Sequence, residues 1–122
     1  MDVKVVASGG APVAVVRSGG VLITDGQTAL DFMAAVCHET GCLAIAVDKG
    51  AFSEEFFDLS TRIAGEALQK FSNYHVRLAV YGDFSGYASK ALRDFIYESN
   101  RGKNILFVSS EQEAVAKLSG EG

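Results

Sequence analysis

Hydrophobic positions along this chain fall into short dense runs that alternate with longer, sparser stretches. Val3 to Ala7 and Pro12 to Val16 are brief and β-branched, separated by Ser8-Gly9-Gly10-Ala11. That pattern predicts a hairpin closed by a glycine turn. Pro12 cannot donate to a ladder, so it belongs at a strand start or on an edge. Ser18-Gly19-Gly20 predicts a second turn, and Val21 to Thr24 a short strand. Leu43 to Val47 is continuously apolar, as expected of a strand buried on both faces. Val76 to Tyr81 and Ile105 to Val108 predict two more strands.

Between the runs the period lengthens. Leu30, Met33, Ala34 and Cys37 recur at i, i+3, i+4 and i+7 and predict a helical core stripe. Asp25 is placed to cap that helix, His38 lies in its last turn, and Gly41 is placed to end it in a left-handed conformation. A second helix is predicted from Ser53 to about Phe71. Ser53 would be its N-cap, Glu54 and Glu55 would sit in its positive first turn, and Phe56, Leu59, Ile63, Leu68 and Phe71 would mark its buried side. Gly65 inside it implies a close backbone neighbour. Ser85 or Ser89 would cap a third helix with Leu92, Phe95 and Ile96 turned inward. Ser110 and Glu113 predict a capping box for a last helix through Leu118, with the Ser119-Gly120-Glu121-Gly122 tail expected to fray.

The resulting order is hairpin, strand, helix–strand three times, then a helix. It predicts one α/β domain over residues 1–122, with an N-terminal β-hairpin followed by βα units that form a mostly parallel sheet with flanking helices. Periodicity leaves the strand order open. A reversal in mid-sheet would create the crevice in which such sheets hold nucleotides.

Composition narrows the classes. With 48% apolar residues the chain can bury a core. A formal net charge of −4 argues against duplex binding, which needs a basic surface. The first residues lack a signal-peptide apolar core, and the uncharged stretch from Val5 to Val16 is broken by Gly9, Gly10 and Pro12. Spanning a bilayer takes about 20 apolar residues. The expectation is a cytoplasmic protein with neither nucleic acid nor membrane as partner. Cys37, His38 and Cys42 give too few ligands for a structural zinc site, and the only other histidine is His75. Two reduced thiols are expected.

Three apolar runs end on aspartate: Asp25, Asp48 and Asp83. Carboxyl ends of parallel strands are where α/β proteins usually carry chemistry. With Lys49 and Ser109 these aspartates make a candidate ligand rim, able in principle to meet a Mg²⁺ or a phosphate. The competing reading is that an aspartate before a helix caps it and one in a βα loop makes a turn. No P-loop, G-x-G-x-x-G or H-E-x-x-H motif occurs. Gly82-Asp83-Phe84-Ser85-Gly86 carries its serine one place late for a nucleophile elbow. No catalytic residue, metal or cofactor is therefore assigned. Lys90, Arg93 and Tyr97 form a candidate interaction face.

Several longer runs suggest kinship: ETGC (Glu39 to Cys42), EEFFDLSTRIAGEALQKFSNY (Glu54 to Tyr74), GDFSGYASKALRDFIYESNRG (Gly82 to Gly102) and FVSSEQEAVAKL (Phe107 to Leu118), with LITDGQTALD (Leu22 to Asp31). They resemble the small bacterial family catalogued as domain of unknown function 4180, which implies a shared fold and lends no activity. More distantly, KFSNYHVRLAVYGDF between helices resembles the second half of SpoIIAA-like domains, the group of the STAS anti-sigma-factor antagonists. That resemblance implies sequential βα units and a phosphorylatable serine in a turn at a helix start. Asp58-Leu59-Ser60-Thr61 is the nearest match, although the periodicity places it inside a helix, and Ser53 is the other candidate. The expectation is a non-enzymatic regulatory or protein-interaction module, acting as a homodimer or on a protein partner. The alternative is a small-molecule or phosphate-handling protein using the acidic rim.

Overall fold

The computed structural model describes residues 1–7 and 9–120. Ser8 of the first turn and the end of the tail, Glu121 and Gly122, lie outside the described residues. Five strands form one mixed sheet: β1 (Asp2–Val6), β2 (Val13–Arg17), β3 (Ala44–Asp48), β4 (Arg77–Tyr81) and β5 (Ile105–Val108). They lie across the sheet in chain order. The β1–β2 pair is the expected antiparallel hairpin, and each later pair is parallel. The helices are α1 (Gly26–Thr40), α2 (Ile63–Asn73), α3 (Lys90–Arg101) and α4 (Glu111–Ser119).

Chain order answers the question that periodicity left open. Each parallel step carries a helix, and right-handed crossovers taken in one direction place successive helices on the same face. Strand alternation shows the result. Ala14, Val16, Ile45, Val47, Leu78, Val80 and Phe107 pack with buried residues of α1, α2 and α3. Their neighbours Val13, Val15, Ala44, Ala46, Ala79, Leu106 and Val108 pack with Ala114 and Leu118 of α4. The α4 side is the one built from small residues, so a single short helix can seat close to the sheet. The stripe of α1 is Gly26, Ala29, Phe32, Met33 and Val36, rotated from the predicted one, with Ala34 exposed. Gly41 ends α1 at φ 73°, as expected.

Two predicted elements differ. Val21 to Thr24 contributes only an isolated bridge, Ile23 to Phe52. The N–H groups of Leu22 and Ile23 both donate to the Ala51 carbonyl, at 2.8 and 2.9 Å, which fastens this segment to the turn after β3 rather than to the sheet. The single helix predicted from Ser53 is instead two 3₁₀ turns, Glu54–Phe57 and Leu59–Thr61, followed by α2. Phe56 and Phe57 are consecutive and both buried, and Asp58 takes the Ser60 N–H on its side chain at 3.1 Å. A carboxylate that captures a nearby N–H competes with the helical ladder. Arg62 then turns the chain at φ 67° before α2 starts. A β-carbon at position 65 would meet open space, so the close approach inferred for Gly65 is absent.

The sheet has two edges of different character. On β5, the Asn100 side chain of α3 accepts from Phe107 N–H at 2.7 Å and donates to the Phe107 carbonyl at 2.9 Å. One amide thus imitates a further strand and blunts that edge. Asn100→Ala leaves both backbone groups without this partner and should destabilise the fold by about 1–3 kcal/mol in urea denaturation.

Candidate functional site

The loops after β3 and β4 share the carboxyl end of the sheet, and their polar groups are engaged locally. Asp48 ends β3 and accepts from both the N–H and the hydroxyl of Ser18, each at 2.7 Å. It latches the loop after β2 to the end of β3. Asp83 accepts from Ser85 N–H at 2.9 Å and Ser85 hydroxyl at 2.6 Å, an Asx turn. The Ser85 hydroxyl and N–H hold its carboxyl below the usual range. Ser89, not Ser85, caps α3, accepting from Leu92 N–H at 3.2 Å.

Asp25 is the N-cap of α1. Its carboxylate accepts from Thr28 N–H at 2.8 Å, while Thr28 Oγ1 accepts from Asp25 N–H at 3.0 Å. Those bonds lower its pKa, the backbone N–H of Thr28 contributing most. Ser109 donates its N–H and hydroxyl to Glu113, both at 3.0 Å. Glu113 therefore reaches one residue beyond the predicted capping box, whose other half, Ser110 accepting from Glu113 N–H, is present at 3.1 Å. Among the described residues no group of three or more His, Cys, Asp or Glu side chains is placed to hold a metal ion. Cys37 and Cys42 are free thiols, the first half-buried and the second buried.

Lys49 is the rim residue with a larger role. Its ammonium donates to the Asp83 carbonyl at 2.9 Å and lies 4.7 Å from the centre of the Tyr87 ring. Phe84 and Phe57 stand at 5.9 and 6.0 Å. Tyr87 stacks on Phe57, with centroids 5.1 Å apart. A cation against aromatic faces is held by their quadrupoles, by about 0.5–1 kcal/mol at a site open to water. Lys49 thereby ties the β3 loop to the β4 loop. Gly82 makes room for it: a β-carbon there would come within 2.8 Å of Lys49 Cβ, and its φ is 156°. This collar is invisible to motif reading, because its members are separated in sequence and none belongs to a known pattern.

Glu111, at the start of α4, is likewise silent in the sequence. It accepts from Arg17 Nε at 3.1 Å, lies 3.7 Å from Lys4 Nζ, and is 3.3 Å from the Tyr81 hydroxyl. That hydroxyl also donates to the Val16 carbonyl at 3.2 Å. Arg17 holds the Glu111 carboxyl below its ordinary range. Burial, then the charges of Glu111 and Asp48, push Tyr81 up to about 12.

The two candidate serines differ in access. The Ser53 hydroxyl is buried with no hydrogen-bond partner, and it caps nothing. Ser60 is exposed in the turn ahead of α2, its hydroxyl donating to Asp58 Oδ1 at 2.6 Å. That bond is the main reason the Asp58 carboxyl lies below its usual range. On the outer side of α3, Lys90 pairs with Asp94 at 2.7 Å, Arg93 donates to the Ala88 carbonyl at 3.2 Å, and Tyr97 is 66% exposed.

Fold and loops together define a small α/β protein with sequential βα units, its strand-end loops tied by caps, Asx turns and a lysine collar. The chain belongs to the family described as Domain of unknown function (DUF4180), which matches residues 8–118. No curated protein and no solved structure matches it. No helix among the described residues is long and apolar enough to cross a membrane.

Gly82→Ala should destabilise the fold by about 1–3 kcal/mol, the range for forced overpacking. Thermal melts would show it, and Lys49→Ala in the same background should not recover the loss, because alanine keeps the β-carbon that the new methyl meets. The depressed carboxyls of Asp25, Asp58, Asp83, Glu111 and Glu113 contribute stability that is present above the ordinary carboxylate range. It is lost as pH falls through their folded values. Acid unfolding should therefore set in below pH about 4, and Glu111→Gln should shallow that dependence.

Proposed function

We propose that this protein is a SpoIIAA-like, non-enzymatic regulatory module of the bacterial cytoplasm that binds a protein partner and is switched at Ser60. The single observation that carries the reading is the exposed Ser60 hydroxyl, bonded to Asp58 in a turn two residues ahead of Arg62, after which α2 starts at Ile63. The break in the helix presents this motif as a turn in which Asp58 holds the hydroxyl. Sequential strand order is what the SpoIIAA-like resemblance implies, and it supplies no switch-point crevice for a nucleotide. The acidic rim favours the same reading, since Asp25 caps a helix, Asp83 closes its own turn and Asp48 latches the loop after β2.

Phosphate at Ser60 would carry a charge of about −1.5 to −2 beside the Asp58 carboxylate. It would break the 2.6 Å bond and repel Asp58. Arg62 and the first N–H groups of α2 would attract it instead. The turn would therefore change partners without unfolding α2. The exposed Lys90, Arg93 and Tyr97 of α3, whose helix begins at the same end of the sheet, offer a face for the partner.

Peptide mass spectrometry of the protein isolated from cells that make it should find phosphate on Ser60 and none on Ser53. Ser60→Ala should abolish the modified species. Finding only unmodified Ser60 across growing and starved cells would overturn the switch.

A further inference from the structure

We infer that β1 pairs edge to edge with β1 of a second copy, about a two-fold axis at Val3, joining two sheets into one. This pairing is independent of Ser60 and deepens the reading of the protein as a binding module by naming one partner. The two edges of the sheet are unequal. Phe107 on β5 has both backbone groups occupied by Asn100. No described side chain plays this part for β1, which pairs with β2 alone among the described strands. An edge strand turns alternate N–H and C=O groups outward, a ready template for another strand.

The side chains then favour one occupant and one register. Opposite residues of an antiparallel pair share a face, so a two-fold normal to the sheet joins residues of like parity. With the axis at Val3, Asp2 faces the partner's Lys4, and Lys4 faces the partner's Asp2. Met1 and Val5, which are 54% and 49% exposed in the single chain, face each other. Moving the axis to Lys4 sets lysine on lysine, and moving it to Asp2 sets aspartate on aspartate. Like charges directly opposite are destabilising. The run Met-Asp-Val-Lys-Val is thus complementary to its own reverse. Lys4 is 55% exposed at the side chain and lies 3.7 Å from Glu111, which leaves its ammonium within a wet site open to a second carboxylate. β1 precedes the residues matched by the family, so this pairing concerns the present chain.

Light scattering on the eluting peak of a sizing column tests it. Wild-type protein at micromolar concentration should give the mass of two chains. Asp2→Lys and Lys4→Asp should each raise the dissociation constant by about tenfold or more, because both cross-strand pairs become like-charged. An equimolar mixture of the two variants should form a heterodimer, and the double exchange D2K/K4D should restore the homodimer. Far-UV circular dichroism confirms that each variant is folded. A wild-type mass of one chain overturns the inference whatever the variants do. So does a dimer that survives Asp2→Lys unchanged, or folded variants that fail to associate on mixing.

Discussion

The handedness of the crossovers governs this fold. A parallel sheet laid down in chain order, with right-handed connections, commits α1, α2 and α3 to one face. The other face would be bare without α4. That nine-residue helix sits on Ala44, Ala46 and Ala79, where small side chains let it approach closely. Its two ends are tied from the sheet. Glu111 meets Arg17, Lys4 and Tyr81 at one end, and at the other Arg77 donates to the Leu118 carbonyl while Ala11 N–H donates to that of Ser119. Gly10 lies so close to the Ser119 carbonyl that any side chain would overlap it. The hairpin turn, the polar ends of the central strands and the last helix are therefore one mechanical unit.

The same constraint decides what the aspartates do. Sequential order places no switch point in the sheet, the crevice in which such sheets usually hold ligands. Three residues of identical chemistry, each at the end of an apolar run, take three different structural duties. Asp25 caps a helix, Asp48 latches two loops, and Asp83 closes a turn. Lys49 completes the arrangement, its ammonium on the Asp83 carbonyl and against aromatic rings.

Elements with a clean period were legible in the sequence. The hairpin, β3, β4, β5, the left-handed end at Gly41 and the α4 start at Ser110 follow from alternation and cap chemistry. Where two local signals competed, the reading followed the longer-range one and missed. Phe56, Leu59, Ile63 and Leu68 give a helical stripe, but adjacent Phe56 and Phe57 both need burial, and Asp58 offers the backbone a rival bond. Leu22 and Ile23 look like a strand, yet their N–H groups are taken by a turn. Contacts between distant positions, such as Glu111 with Arg17 or Asn100 with Phe107, leave no periodic trace and could not be read at all.

Asp58 shows how the break in the helix and the proposed function share a cause. Its carboxylate binds the Ser60 N–H and hydroxyl at once, at 3.1 and 2.6 Å. The first bond diverts the backbone from the helical ladder, and the second fixes the Ser60 side chain. In an uninterrupted helix Ser60 would have no such partner, and a new charge on it would be one more solvated group on a surface. In the turn, a charge on Ser60 acts on the carboxylate that shapes the backbone. The feature that made the sequence hard to read is therefore the one through which a chemical change at one hydroxyl can alter the surface around it.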